Sequence, residues 1–258
     1  MSNDNLKPCV QAVESNQQAL EELQFVLQLS QGQFSLVLAK CNYGFLRHGL
    51  KAKLLELSPN IQELNLEPSV TKLYSRIREI QGEQQFSGLV VYGLESVRNI
   101  KQLLLSLNPV REEFRKNCHF AVILWINDDI FRLFKRLIPD FESWTTRIVF
   151  TIPAPLLLRK LKYNSDILFT KILELGYSSR FLTYDKLFDP NERLEILAAL
   201  RDLENQEQQL DLALQASIEF AQGRKLNRKP EIDNVLAHYQ KSLELWQELA
   251  QEIPTLEL

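Results

Sequence analysis

The sequence has one predicted turn in the position where a parallel α/β domain builds phosphate chemistry. The stretch Gln33–Gly44 is an apolar run that ends in an Asn-Tyr-Gly turn and leads into a basic, amphipathic segment. In a parallel α/β domain, a phosphate site is built at the first turn from strand to helix. Lys40, Asn42, Gly44 and Arg47 lie in or beside this turn, and they are the first candidate nucleotide-binding residues.

The turn lacks the residues on which a phosphate-binding loop depends. Such a loop needs several glycines so that backbone N–H groups converge on the anion, a lysine for the terminal phosphates, and a serine or threonine for the metal ion. Residues 39–47 read AKCNYGFLR, with one glycine, no Gly-Lys pair and no hydroxyl group at the helix start. The sequence favours a tight turn with a solvated basic helix face, and it leaves open a modified site using Lys40, Asn42 and Arg47.

Two further polar positions follow predicted strands. An acid after the third strand would hold magnesium through water, but Gly93 occupies that place. Glu95 follows the turn and suits either a polar catalytic role or charge compensation at a helix N-terminus. Asn127 follows the fourth strand, where a phosphate-sensing residue is expected, and Asp128 fits a helix cap. Glu95 and Asn127 complete the candidate nucleotide-binding set, and no catalytic residue or metal ligand is predicted.

Other constellations predict surface or core. The three histidines have no zinc-ligand spacing, and no GxSxG or Cys–His arrangement supports a nucleophile; they are His48, His119 and His238. Two basic groups fit solvated faces better than phosphate contacts; they are Arg132, Lys135 and Arg136, and Arg224, Lys225, Arg228 and Lys229. Four aromatic residues fit either a partner interface or internal packing; they are Phe141, Trp144, Tyr163 and Tyr184.

The elements that must position these residues alternate between strand and helix. A leading helix is predicted within residues 1–32, and residues 33–152 carry five strand patterns separated by amphipathic segments. This alternation predicts an α/β domain with a five-stranded parallel sheet between helices. Pro153 and Pro155 mark a boundary, after which residues 153–258 predict helices at 156–175, 193–220 and 232–251. The last two resemble a tetratricopeptide pair, although no 34-residue period is visible.

Composition narrows the functional classes. The chain has 258 residues and a net charge of -3, which argues against a general binder of nucleic acid or anionic membrane. Residues 153–258 carry the acidic excess, with 13 Lys and Arg against 17 Asp and Glu. Cys9, Cys41 and Cys118 are odd in number and widely spaced, which favours reduced thiols and a cytoplasmic protein. The chain carries no signal-peptide pattern and no apolar stretch of membrane-spanning length.

The succession of elements resembles a known family. A strand and basic helix, a strand ending in Gly-Leu-Glu-Ser, then VILWINDD and PDFESW, together resemble the core of STAND-type ATPases of the AAA+ branch of P-loop NTPases. The divergent cyanobacterial-type versions that precede tetratricopeptide helices are the most similar. The resemblance covers residues 30–152, and the later helices would correspond to a lid or linker. It implies an ATP/Mg site that acts as an assembly switch, but this chain lacks both the Gly-Lys-Ser/Thr and the acidic motif.

These observations support three hypotheses. The first is a non-catalytic, NTPase-like scaffold or regulatory module, without Walker A and Walker B chemistry, that binds protein partners or itself. The second is a nucleotide-responsive switch that binds ATP or GTP in a divergent pocket. The third, and weakest, is nucleic-acid binding through the basic residues, either Arg47 with Lys51 or the group at 224–229.

Overall fold

A five-stranded, all-parallel sheet is the centre of the N-terminal half of the chain. The computed structural model describes residues 10–82, 86–175, 190–226 and 232–252. The strands are β1 (Ser35–Lys40), β2 (Ile61–Asn65), β3 (Gly88–Tyr92), β4 (Ala121–Ile126) and β5 (Thr145–Val149). The predicted α/β class and five-stranded parallel sheet are confirmed. The chain divides into two compact units, Met1–Ile152 and Pro153–Leu258.

The strand order creates a switch point beside the central strand. The order across the sheet is β2-β3-β4-β1-β5, so the chain leaves β1 in one direction and makes its other three connections in the opposite direction. Right-handed crossovers then place the helix after β1 on one face and the helices after β2, β3 and β4 on the other. In such sheets, ligands bind outside the carboxyl ends of the strands at this point, which here lies between β1 and β4.

The helices of the first unit cover both faces of the sheet. Residues 10–14 are also helical. The following helices are α1 (Gln17–Leu29), α2 (Gly44–Leu57), α3 (Leu73–Gln81), α4 (Ile100–Leu105), α5 (Arg111–Asn117), α6 (Asp128–Leu137) and α7 (Pro139–Glu142). The amphipathic segment after β3 is not one continuous helix, because a 3-10 turn at Leu94–Ser96 precedes α4.

Alternating side chains of the strands form two apolar layers. Leu36 and Leu38 of β1 lie in one core cluster with Phe114 and Phe134, on the face covered by α3 to α7. On the opposite face, α1 and α2 bury six leucines: Leu20, Leu23, Leu27, Leu46, Leu50 and Leu54. Leucines spaced by three and four residues form one helix face, which explains why both helices lie flat on the sheet. The two apolar layers bury β1 on both faces of the sheet.

Asn16 attaches the N-terminal helical segment to the end of the sheet. Its side chain is buried, and its Nδ2 donates to Thr151 O at 2.7 Å while its Oδ1 accepts from Thr151 N at 2.8 Å. The amide thereby substitutes for a neighbouring strand beyond β5. Nδ2 also donates to Ala12 O at 2.7 Å. A buried amide with this many partners fixes one arrangement of the segments that it joins.

The second unit is helical over its described residues. Its helices are α8 (Ala154–Leu175), α9 (Pro190–Asn205), α10 (Leu212–Leu226) and α11 (Ile232–Glu252). The predicted continuous helix at 193–220 is wrong, because the chain breaks between α9 and α10. Glu207 adopts a left-handed φ of 54°, and Gln208 N donates to Leu203 O at 3.0 Å, which ends α9. Asp211 Oδ1 then accepts from Leu214 N at 2.7 Å and caps α10.

Helices α10 and α11 form an antiparallel pair. Ser242 Oγ donates to Ala216 O at 2.7 Å, and the rings of Phe220 and Tyr239 are 5.6 Å apart. Gly223 permits this approach, because a Cβ atom there would lie 2.8 Å from the Tyr239 ring. Among the described residues, no helix is both long enough and apolar enough to cross a membrane.

Candidate functional site at the carboxyl ends of β1, β3 and β4

The sheet brings most of the predicted site residues to one edge. Lys40 ends β1, Asn42 follows it, and Gly44 begins α2. Arg47 lies one turn into α2, and Glu95 lies in the 3-10 turn after β3. These positions surround the switch point between β1 and β4, where a ligand of an α/β sheet is expected.

Lys40 and Asn42 both bind Asp128, the first residue of α6. Lys40 Nζ lies 2.7 Å from Asp128 Oδ1, and Asn42 Nδ2 donates to Asp128 Oδ2 at 3.0 Å. In return, Asn42 Oδ1 accepts from the Asp128 backbone N–H at 2.9 Å. Asp128 was expected to be a simple helix cap, but its carboxylate joins β1 to α6. The lysine and the amide proposed for a phosphate are thus engaged by the chain itself.

Arg47 and Glu95 form a second ion pair across the same edge. The pair connects the first turn of α2 to the turn after β3, and Arg47 Nη2 also donates to Cys41 O at 3.0 Å. Both side chains are about four-fifths buried. Glu95 therefore neutralises an arginine, rather than the N-terminus of a long helix, because the element that contains it is a three-residue turn.

Gly93 is required by the backbone at the position where an acid would hold magnesium. Its φ is +85°, and a Cβ atom would lie 3.1 Å from Leu66 O. A left-handed conformation with so close a neighbour strongly disfavours any residue with a side chain. The missing carboxylate is therefore a consequence of how the chain turns after β3, where Leu66 N donates to Tyr92 O at 2.9 Å.

Asn127 acts as the cap of α6. Its Oδ1 accepts from Ile130 N at 2.9 Å, and its backbone is extended. This is the ordinary role of an asparagine at a helix N-terminus. Asn127 therefore lies at the predicted edge, but its side-chain oxygen already has a partner within the helix.

A third ion pair lies beside the site on the α2 face, and sequence reasoning missed it. Lys51 Nζ lies 2.9 Å from Glu63 Oε2 and 5.1 Å from the centre of the Tyr92 ring. Burial, together with the charge and hydrogen bond of Glu63, raises the pKa of Tyr92 well above its ordinary value. The sequence did show the alternation of apolar and polar residues in β2 and the basic residues of α2, but neither pattern indicated that Lys51 pairs with Glu63.

Four buried polar atoms in this region have no hydrogen-bond partner among the described residues. They are Arg47 Nε, Glu63 Oε1, Glu95 Oε2 and Trp125 Nε1. The Trp125 ring stacks between Tyr92, at 5.7 Å, and Phe150, at 5.4 Å. Unpaired buried polar atoms cost stability unless water fills the gap. The α2 side of the edge therefore combines unpaired polar atoms with stacked aromatic rings.

The electrostatic balance of the edge is neutral. The cations of Lys40, Arg47 and Lys51 each face a carboxylate of the same chain. A phosphate site requires surplus positive charge, and these three ion pairs leave no surplus charge on Lys40, Arg47 and Lys51. Within the described residues, no group of three or more His, Cys, Asp or Glu side chains is placed to hold a metal ion.

The remaining candidates lie apart from this edge. Arg132 pairs with Asp129, and Lys135 Nζ lies 4.9 Å from the centre of the Phe131 ring. Phe141 is buried in the core, and the Cζ atom of Arg111 lies 4.5 Å from the centre of the Trp144 ring. His238 pairs with Glu219 in the second unit, whereas Tyr163 is exposed. Tyr184, Arg228, Lys229 and Cys9 lie outside the described residues.

The two other thiols are structural. Cys41 and Cys118 are both fully buried, and burial raises the pKa of Cys118 to about 11. A thiol with a raised pKa is a poor nucleophile, so Cys118 adds no reactive group.

No family model and no curated protein matches this chain.

Proposed function

We propose that the chain is a non-catalytic, NTPase-like scaffold or regulatory module, a degenerate member of the STAND type, that acts by binding protein partners. The observation that carries the proposal is the pairing of Lys40 with Asp128 and of Arg47 with Glu95. The cations that would meet phosphate at the switch point bind carboxylates of the chain instead. The edge then contributes rigidity between β1, β3 and α6, and it contributes no chemical step.

Two local features support the loss of nucleotide chemistry. The turn after β1 offers Tyr43 and Gly44 at the start of α2, and the helix has no side-chain cap and no hydroxyl for a metal ion. The turn after β3 excludes a carboxylate at Gly93 because of its left-handed backbone. Magnesium and the terminal phosphates would both lack their usual protein ligands.

A nucleotide-responsive switch is the second candidate, and one observation favours it. Lys40, Asn42 and Arg47 do gather at the switch point, which is where such a ligand would bind. For this function, a nucleotide would have to displace Asp128 and Glu95 from their cations. A ligand that replaces existing ion pairs gains little net energy from the exchange.

Thermal unfolding with nucleotides separates the two candidates. The purified chain is heated with ATP, ADP, GTP or GDP at about 1 mM with magnesium, and with sodium chloride at matched ionic strength as the control. The scaffold proposal predicts the same Tm in every arm. An upshift of several degrees with one nucleotide, absent with salt, would contradict it and support the switch.

A further inference from the structure

The outer face of α11 carries leucines that nothing in the described structure covers. Leu236 is 58% exposed and Leu243 is 57% exposed, whereas Val235 and Ser242, their neighbours in sequence, are buried. The two leucines are seven residues apart and lie on the same side of the helix. Trp246, which is 36% exposed, and Ala250 continue this side of the helix. We call these four residues the α11 stripe.

Among the described helices of the second unit, α11 is the last in the stack, and the stripe lies on its outer side. Helix α10 packs against both α8 and α11, whereas the main contacts of α11 are with α10. In stacked helical arrays, the last helix normally presents a polar outer face to water. An outer face with two leucines that are more than half exposed is instead typical of a surface that another helix covers.

Charge beside the stripe indicates which kind of helix fits. On the side turned away from α10, the stripe is bordered by Gln240 and Gln247 and then by Glu244 and Glu248. Both glutamates are exposed, and neither forms an ion pair with a described residue. Lys241, a described cation of α11, is bound to Glu219 at 2.6 Å. The described border of the stripe at residues 240–248 is therefore acidic.

We propose that the α11 stripe binds an amphipathic helix of another protein, one whose apolar face is bordered by lysine or arginine. This inference rests on the proposed role in protein interaction and names its surface and partner class. A second copy of the chain fits less well, because two stripes facing each other would bring the same acidic borders together. Like charges across such an interface oppose association.

The test uses three labelled peptides of 21 residues with helix-forming sequences. One has leucine at the apolar heptad positions and lysine beside them, the second has the same leucines with glutamate in place of lysine, and the third has the lysines with serine in place of leucine. Fluorescence anisotropy at 150 mM salt measures their affinities for the full chain. The basic leucine peptide is expected to bind at least tenfold more tightly than either of the others.

Variants locate the binding surface. Leu236→Ser with Leu243→Ser is expected to weaken the basic peptide at least tenfold, and Glu244→Lys with Glu248→Lys is expected to reverse the preference between the basic and acidic peptides. Leu105→Ser, at a 51% exposed leucine of the first unit, is the matched control and is expected to bind normally. Circular dichroism and Tm establish that each variant is folded.

Three outcomes would overturn the inference. They are equal affinity for the three peptides, unchanged binding by the leucine variant, and a dimer in sedimentation that this variant abolishes, since the dimer would make the occupant a second copy. The nucleotide experiment fails independently of these results. A nucleotide-dependent Tm with normal peptide binding refutes the scaffold and leaves the surface intact, and the converse result refutes the surface alone.

Discussion

Lys40 Nζ lies 2.7 Å from Asp128 Oδ1, so the end of β1 and the start of α6 are joined by one ion pair. The two side chains are 22% and 20% exposed, which gives the pair a more protected environment than a surface salt bridge has. At this edge of the sheet, the lysine that could bind an anion is therefore neutralised by a carboxylate of the same chain.

Removal of the carboxylates should convert the edge into an anion site. Asp128→Asn with Glu95→Gln leaves Lys40 and Arg47 without counter-charges while it keeps the shapes of both side chains. The Tm of this variant is expected to rise by a few degrees with about 10 mM tripolyphosphate, whereas that of the unaltered chain does not.

Asp129→Asn provides the control for this experiment, because Asp129 pairs with Arg132 on the exposed side of α6. It should not create any response to tripolyphosphate. A folded double variant whose Tm ignores the anion would show that the ion pairs are not what keeps phosphate out.

The turn at Gly93 should be intolerant of any side chain. Gly93→Ala places a Cβ atom 3.1 Å from Leu66 O in a left-handed conformation, and about 2–3 kcal/mol of unfolding free energy should be lost. Gly32→Ala is the control, since Gly32 also has a positive φ, of 78°, but has no atom within 4 Å of the added carbon. It should cost about 1 kcal/mol. Equal losses in urea unfolding would remove the argument from the Leu66 contact.

The side chain of Asn16 should contribute more to the free energy of unfolding than that of the neighbouring Ser15. Asn16→Ala leaves the N–H and C=O of Thr151 without their partner, and the expected loss of unfolding free energy is about 2–3 kcal/mol. Ser15→Ala removes the hydrogen bond from Ser15 Oγ to Ala12 O at 2.9 Å and the long one from Asn16 Nδ2 to Ser15 Oγ at 3.4 Å, and it should cost less than about 1 kcal/mol. Chemical denaturation of the two variants checks the ranking, and comparable losses would show that Asn16 does not anchor the sheet edge.

Acid should weaken the α10–α11 pair through Glu219. Burial alone would raise the pKa of this carboxyl, but hydrogen bonds from Lys241 and His238 outweigh it and lower the pKa below the ordinary 4.5. Since the folded pKa is the lower one, the stabilisation is complete above pH 4.5 and is lost as the pH falls through the folded value.

Glu219→Gln should therefore be less stable than the unaltered chain at pH 7, by about 1 kcal/mol, and should lose less stability between pH 5 and pH 3. Glu244→Gln, at an exposed glutamate on α11, is the control and should follow the unaltered chain. Thermal unfolding at a series of pH values measures both effects. Parallel pH profiles for the Glu219 variant and the unaltered chain would contradict the prediction.

The strands were predictable from sequence because their periodicity is local. Central strands of a parallel sheet are buried on both faces and therefore appear as short, continuous apolar runs, as residues 86–94 and 119–126 do. The fifth strand, Thr145–Val149, begins and ends earlier than the apolar pattern of residues 147–152 indicates. Phe150 and Ile152 are buried, but they lie beyond the strand, so hydrophobicity alone shifted its bounds.

The site was predictable in position but not in its pairing. The carboxyl ends of parallel strands meet at one edge, so Lys40, Asn42 and Glu95 could be placed together from their order in the chain. The partner of Lys40 lies 88 residues away, and nothing local to either residue indicates that they pair. The reason for Gly93 depends likewise on Leu66 of a neighbouring segment, which becomes visible when β2 and β3 are in register.

The strand order also has a consequence for how the chain reaches its native state. Ser35 of β1 pairs with Ala121 of β4 and Leu36 pairs with Thr145 of β5, so the earliest strand has no described neighbour among the next two. During synthesis, about eighty residues separate the end of β1 from the start of β4, its first partner strand. Closing such long loops is slow, and an apolar strand that stays unpaired meanwhile is prone to aggregate. In chain order, β2 and β3 are the first pair that can form, at one side of the sheet, β4 then joins β3 to β1, and β5 is added last.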